Sequence, residues 1–278
     1  MNVINTNVGS LYAQMALNMN GRGLATVMEQ LSTGNRLSNA VVDVAGLAIS
    51  TRLTSQIRGL NQALRNANDG ISLIQTADGS TEQVSNMLQR MRELALQASN
   101  STNNDDDRSF INIEYGALAT QINKIAEYTQ WNGANLLNAS GGSSGVFSFQ
   151  VGANAGQTIS IKLPDLRTAT NSKLSTISGT SITNTATASA AEGLITSALD
   201  VISLERANMG AAVSRLQFTS DNLVNVSAKT QESRSRIEDT DYSQATTELA
   251  RRTIIQQAAQ AMLAQANQMP SMILQLLK

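Results

Sequence analysis

The chain has 278 residues, a formal charge of −1, no Cys, no His, two Pro and one Trp. Without Cys there is no disulfide framework or thiol nucleophile, and without His there is no Ser-His-Asp triad and none of the commonest metal ligand. The near-neutral balance argues against nucleic acid, which demands a basic surface, and aromatics at 3% are too few for an ordinary globular core. This Ala-rich, Pro-poor composition suits long helices packed along a seam. It favours a structural or interaction protein over an enzyme, with no cofactor or metal. No segment has the roughly 18 uninterrupted apolar residues of a membrane helix, so no membrane insertion is expected. Residues 1–7 lack a basic start and an apolar stretch, so no cleaved secretory signal is expected either.

In chain order, Asn5-Thr6-Asn7 reads as the cap of a first helix carrying Val8, Leu11, Met15 and Met19 on one face. Leu17, Leu24 and Leu31 repeat every seven residues beside them. Its glycines weaken it by about 1 kcal/mol each relative to Ala, so it needs a partner. A second helix begins near Asp43 with Leu53, Ile57, Leu60, Leu64, Ala67, Ile71 and Ile74 in alternating steps of four and three. The stripe slips once through Ala77, then continues as Thr81, Val84, Leu88, Met91, Ala95 and Ala98. Two successive steps of three mark a local overwinding of a coiled coil.

Asn103-Asn104-Asp105-Asp106-Asp107 reads as a turn and helix cap more than as a metal site. Ile111, Tyr115, Leu118, Ile122 and Ile125 mark a third helix, ended by Asn132-Gly133. Alternation over Val146–Val151 and Ile159–Leu163, around a Gly-containing loop, predicts a β-hairpin. Residues 165–192 form a Ser/Thr/Ala/Asn tract, expected as loops with at most weak strands. The heptad returns with Ile195, Ala198, Ile202, Glu205, Met209, Ala212, Leu216, Thr219, Leu223, Val226, Thr230, Ser233 and Ile237. Glu205 in that seam is expected to pair with Arg206 or Arg215. Asp241 and Gln244 resemble a capping box for a last helix with Ile255, Ala258, Met262, Met269, Met272 and Leu276, kinked or ended by Pro270. The fold expected is mainly α: a long coiled-coil rod with a small β-hairpin region and paired N- and C-terminal helices. The exposed amphipathic ends imply assembly with other copies or partners.

Among possible chemistries, Glu93 and Glu114 are a conceivable carboxylate pair, but helical acids on a rod offer no cleft. No glycine-rich strand-turn-helix context for nucleotide binding is present. On one flank of the second helix, Arg90, Leu94 and Gln97 stand four and three apart. An apolar Leu94 beside Arg90 on an outward face fits an interface hot spot.

Several stretches together resemble the bacterial flagellins. They are Met1–Val8, Gln30–Gly34, Gly46–Ser50, Ile57–Ala63, Asn66–Ser72, Gln89–Leu94, Ser235–Tyr242 and Ala264–Gln268. The resemblance covers residues 1–138 and 193–278 and implies an extracellular structural subunit of the flagellar filament. It implies residues 1–42 and 238–278 as the two halves of an inner helical domain (D0), with Leu17, Leu24, Leu31, Ile255, Met262 and Met269 on its polymerisation helices. Residues 43–138 and 193–237 would form the outer rod (D1), and 139–192 a hairpin and low-complexity outer loop, too short for a large outer domain. Expected partners are further copies of the chain, the flagellar type III export apparatus, an export chaperone at the C-terminal helix, and the hook-associated junction and cap proteins. A vertebrate Toll-like receptor would bind the monomer. Gln89, Arg90, Leu94 and Glu114 match residues that serve both protofilament contact and that receptor, with Gln97 on the same flank. The rival expectations are a hook–filament junction protein and a flagellin-like cell-surface binding protein. One departure from the family pattern is Asn39–Gly46, where many members have a more acidic, Ala-rich run.

Overall fold

The structure, a computed structural model, describes residues 6–167 and 174–276, apart from the side chains at 178 and 270–276. The expected stripe positions Met272 and Leu276 and the 168–173 part of the polar tract lie outside that description. The chain is mainly α-helical: α1 (Val8–Thr33), α2 (Val44–Ser99), α3 (Asp105–Tyr128), α4 (Ser175–Ser178), α5 (Thr185–Glu238) and α6 (Tyr242–Leu276). Two antiparallel strand pairs join them, β1 (Gln130–Trp131) with β2 (Ala134–Asn135) and β3 (Val146–Gln150) with β4 (Thr158–Lys162). The chain divides into two compact units, Met1–Ser55 with Ala228–Lys278 and Gln56–Ser227. These divisions fall inside α2 and α5.

In the larger unit, the stripe from Ala67 through Ala98 buries as its spacing predicts. Ile74, Ala77, Thr81, Val84, Leu88, Met91, Ala95 and Ala98 are wholly inaccessible. Thr81 is tolerated there because its hydroxyl donates to the Ala77 carbonyl, 2.7 Å away. Helix α5 lies antiparallel to α2: Arg92 meets Glu192 at 3.1 Å, Arg206 meets Asp78 at 2.8 Å, and Ser227 Oγ meets Asn61 Oδ1 at 3.3 Å. Its seam holds from Ile195 to Leu223 and then moves by one position, burying Ser227 and exposing Val226. A straight helix drifts against a strict seven-residue repeat, and the Ser227 hydroxyl finds Asn61 on the inner side. The pairing expected for Glu205 is not made. Arg206 turns to Asp78 and Glu82 of α2 instead, because they face it across the seam.

Helix α3 folds back on α2 through a capped corner. Asn104 accepts from the Asp107 amide and Asp107 accepts from the Asn104 amide, a reciprocal cap. Arg108, buried beside it, donates to the carbonyls of Ala98 and Asn100 and pairs with Asp105. Asp107 is thus used in capping and Asp105 in anchoring the corner. Asn132-Gly133 does more than end α3. With φ of 47° and 80° it makes the tight turn of the β1–β2 pair. The β3–β4 hairpin matches the predicted alternation, with Phe149 opposite Ile159 and Phe147 opposite Ile161.

Residues 165–192 differ from the expected loop. Leu166, Leu174, Ile177, Ile182, Ala188 and Ala191 all join the core, and α5 already begins at Thr185. Asn184 caps it, accepting from the Thr187 amide at 2.8 Å. Sparse apolar residues in a polar tract suffice here because each one meets an existing core. The described residues of the segment therefore belong to the larger unit.

In the smaller unit α1 packs antiparallel on α6. Asn7 caps α1 and donates to the Ala266 carbonyl at 2.7 Å, while Asn20 donates to the Arg252 carbonyl at 2.8 Å. At the other end Asn35 bridges Asp239, Arg36 N–H donates to Glu238, and Thr240 N–H donates to Gly34, whose φ of 70° closes α1. The Glu238 carboxylate gathers Asn35, Ser50 and Arg234 around this clasp. Asp241 caps α6 through the amides of Ser243 and Gln244. Pro270 does not end α6, which runs to Leu276.

Candidate assembly and recognition surfaces

The face α1 turns to α6 runs Ser10, Ala13, Leu17, Asn20, Leu24, Val27 and Leu31, each buried or half-buried. The predicted Leu17, Leu24 and Leu31 therefore lie in the contact. The α6 face is different from the one expected. Ala245, Leu249, Arg252, Gln256, Ala259, Leu263 and Ala266 are the covered positions, in steps of four and three. Ile255, Met262 and Met269 stand outside that stripe, Met262 being 65% exposed. Small residues let the two helices approach, and a Cβ on Gly23 would land on the Arg252 guanidinium. Other large apolar side chains are left outward on both helices, including Leu11, Met15 and Met19 of α1.

The second candidate surface centres on Arg90. Its guanidinium meets Glu114 of α3 at 2.9 Å and Glu93 at 3.0 Å. Those hydrogen bonds, Glu114 first, push the arginine above its ordinary pKa. The Glu93 and Glu114 carboxylates are thus bound to one cation. Gln89, Gln97 and Glu114 are exposed around it. Leu94 is not: it is 1% exposed and belongs to the core. The expectation of an outward Leu94 fails because α2 packs on α3 as well as α5, which widens the buried stripe beyond a single seam.

Glu205 and Arg215 line a shallow concavity between β4 and α5 with Lys162 and Asn208. Among the described residues there is no group of three or more His, Cys, Asp or Glu placed to hold a metal ion. No described helix is long and apolar enough to cross a membrane.

Residues 4–141 match the family model of the bacterial flagellin N-terminal helical region, and residues 193–277 match that of the C-terminal helical region. The chain is 42% identical to a flagellin of Halalkalibacterium halodurans over 99% of its own length and all of that protein. It is 38% identical to the flagellar filament core protein flaB2 of Brachyspira hyodysenteriae, covering 99% of this chain and 100% of the relative. It is 32% identical to flagellin A of Vibrio cholerae, with 99% of both chains covered. Among solved structures, the crystal structure of Bacillus cereus flagellin aligns with a TM-score of 0.50 and 32% identity, over 57% of this chain and 88% of that one.

Proposed function

The chain belongs to the bacterial flagellin family and is a non-enzymatic structural subunit of the extracellular flagellar filament, and on that premise we propose how its surfaces divide the work. The outward apolar faces of α1 and α6 serve polymerisation, with Leu17, Leu24 and Leu31 holding the pair together and Ile255, Met262 and Met269 meeting other copies. The observation that carries this is the burial pattern of the smaller unit: one stripe on each helix is covered by the other, while a second set of large apolar side chains, Leu11, Met15 and Met19 on α1 and Ile255, Met262 and Met269 on α6, stays in solvent. Water-exposed faces of that kind gain free energy when a neighbouring copy covers them.

The same family membership supports a reading of the finer partners. The chain is exported by the flagellar type III apparatus, its C-terminal helix is held by an export chaperone beforehand, and junction and cap proteins bound the filament. A vertebrate Toll-like receptor takes the monomer through Gln89, Arg90, Gln97 and Glu114, with Leu94 acting from beneath as packing. That surface also meets a neighbouring protofilament, so assembly hides it. Electron microscopy of purified chain added to filament fragments tests the central point. Long tubes are the expected outcome, whereas persistent small species would favour a junction protein. Receptor activation by monomer but not by intact filament is expected, and equal activation by both would remove the shared surface.

A further inference from the structure

A filament that grows without closing needs two different surfaces on one chain that fit each other, so that each copy offers one and receives the other. The larger unit carries two such stripes, neither of which contains a residue of the Arg90 cluster. On α3, Asp106, Phe110, Ile113 and Ala117 succeed one another in steps of four, three and four and are all exposed, Phe110 by 72% and Ile113 by 67%. On α5, Leu204, Asn208, Ala211, Arg215 and Phe218 do the same, with Leu204 exposed by 61% and Phe218 by 75%. Single exposed apolar residues need no explanation, but two aligned rows with an aromatic in each do.

Charge sets the partner of each row. Asp106 opens the α3 row while its neighbours Asp105 and Asp107 are occupied by Arg108 and by the cap. Arg215 sits one turn before Phe218, and neither it nor Asp106 has an ion pair among the described residues. Asp106 precedes Phe110 by four residues and Arg215 precedes Phe218 by three. A single parallel register therefore places acid against base and ring against ring. An antiparallel one separates them.

We propose that Asp106 and Phe110 of one copy dock on Arg215 and Phe218 of a neighbouring copy, forming a heterologous seam between subunits. This rests on the filament function stated above. The aromatic pair supplies the buried area, and the Asp106–Arg215 pair fixes register and direction.

The test uses the full chain, elongating filament fragments at fixed monomer concentration. Asp106→Arg and Arg215→Asp should each slow elongation by roughly tenfold, the size of one lost interface anchor. The doubly exchanged chain should return to near the wild-type rate, and circular dichroism should show all three folded as the wild type is. A second readout exploits the absence of cysteine from the chain. Filaments of the Phe110→Cys, Phe218→Cys chain, once oxidised, should give a ladder of covalent oligomers. Normal elongation by the single variants, no recovery in the exchanged chain, or intact filaments without a ladder would each overturn the seam. Failure of the wild-type chain to elongate fragments would overturn the filament function instead.

Discussion

Tyr115 is the least comfortable side chain of the larger unit. Its ring is buried in the core and its hydroxyl has no hydrogen-bond partner among the described residues, and burial pushes its pKa up to about 12. An orphaned buried hydroxyl costs about 1 kcal/mol or more. Tyr115→Phe should therefore raise stability by about 1 kcal/mol, read from denaturant unfolding. The sign of the pH effect follows from the raised value. The folded state keeps the phenol proton longer than the unfolded state, so this contribution is intact below about pH 10 and is lost as pH climbs toward 12. The Phe variant should lose less stability across that alkaline window, and an identical loss in both chains would contradict the assignment. Leu94 and Arg90 part company in the same way. Leu94→Ala empties core volume and should cost about 2–5 kcal/mol of stability. Arg90→Ala should leave thermal unfolding near that of the wild type while weakening receptor activation roughly tenfold. Undiminished activation by the Arg90 variant would remove it from the recognition surface.

At the scale of elements, the contact between α2 and the β3–β4 hairpin depends on a missing side chain. A Cβ on Gly70 would come within 3.1 Å of Phe149 and 3.2 Å of Leu216. Gly70→Val should overpack this point and cost about 1–3 kcal/mol, measurable as a lower melting temperature. Asn66 fastens the same hairpin by donating to the Gln150 carbonyl at 2.9 Å. Much of this architecture was legible in the sequence wherever large and small side chains contrast, as from Ile74 to Ala98 and from Ile195 to Leu223. Helix α6 lacked that contrast. Its contact face is Ala, Gln and Arg as much as Leu, so the conspicuous Ile255, Met262 and Met269 drew attention to the opposite side. The start of α5 was missed because Thr185–Ala191 carries only alanine at its core positions, although Asn184 was an available cap signal. The Asn132-Gly133 pair similarly announced a tight hairpin that flanking strands of two residues made hard to see. Leu94 could not be placed from one helix, since its burial comes from a second neighbour.

Over the whole molecule, stability is unevenly distributed. The larger unit holds the main core cluster, whereas most covered positions of α1 and α6 are half-buried and many are polar. Segments with so little buried apolar surface open first. Limited proteolysis of the monomer should therefore trim residues 1–42 and 238–278 before it cuts within 56–227. The trimmed product should remain folded by circular dichroism and fail to elongate filament fragments. Cleavage at equal rates throughout the chain would contradict this.

The clasp between Gly34–Arg36 and Glu238–Thr240 also orders events in time. A ribosome delivers the first residues long before the last, and domains fold as their residues become available. The chain from Gln56 to Ser227 can close its core while Met1–Ser55 still lacks every residue of its other half. The N-terminal segment must wait, unpaired, through the synthesis of everything between. Each subunit thus begins life with its two ends separate, and they become neighbours only when the final helix has been made.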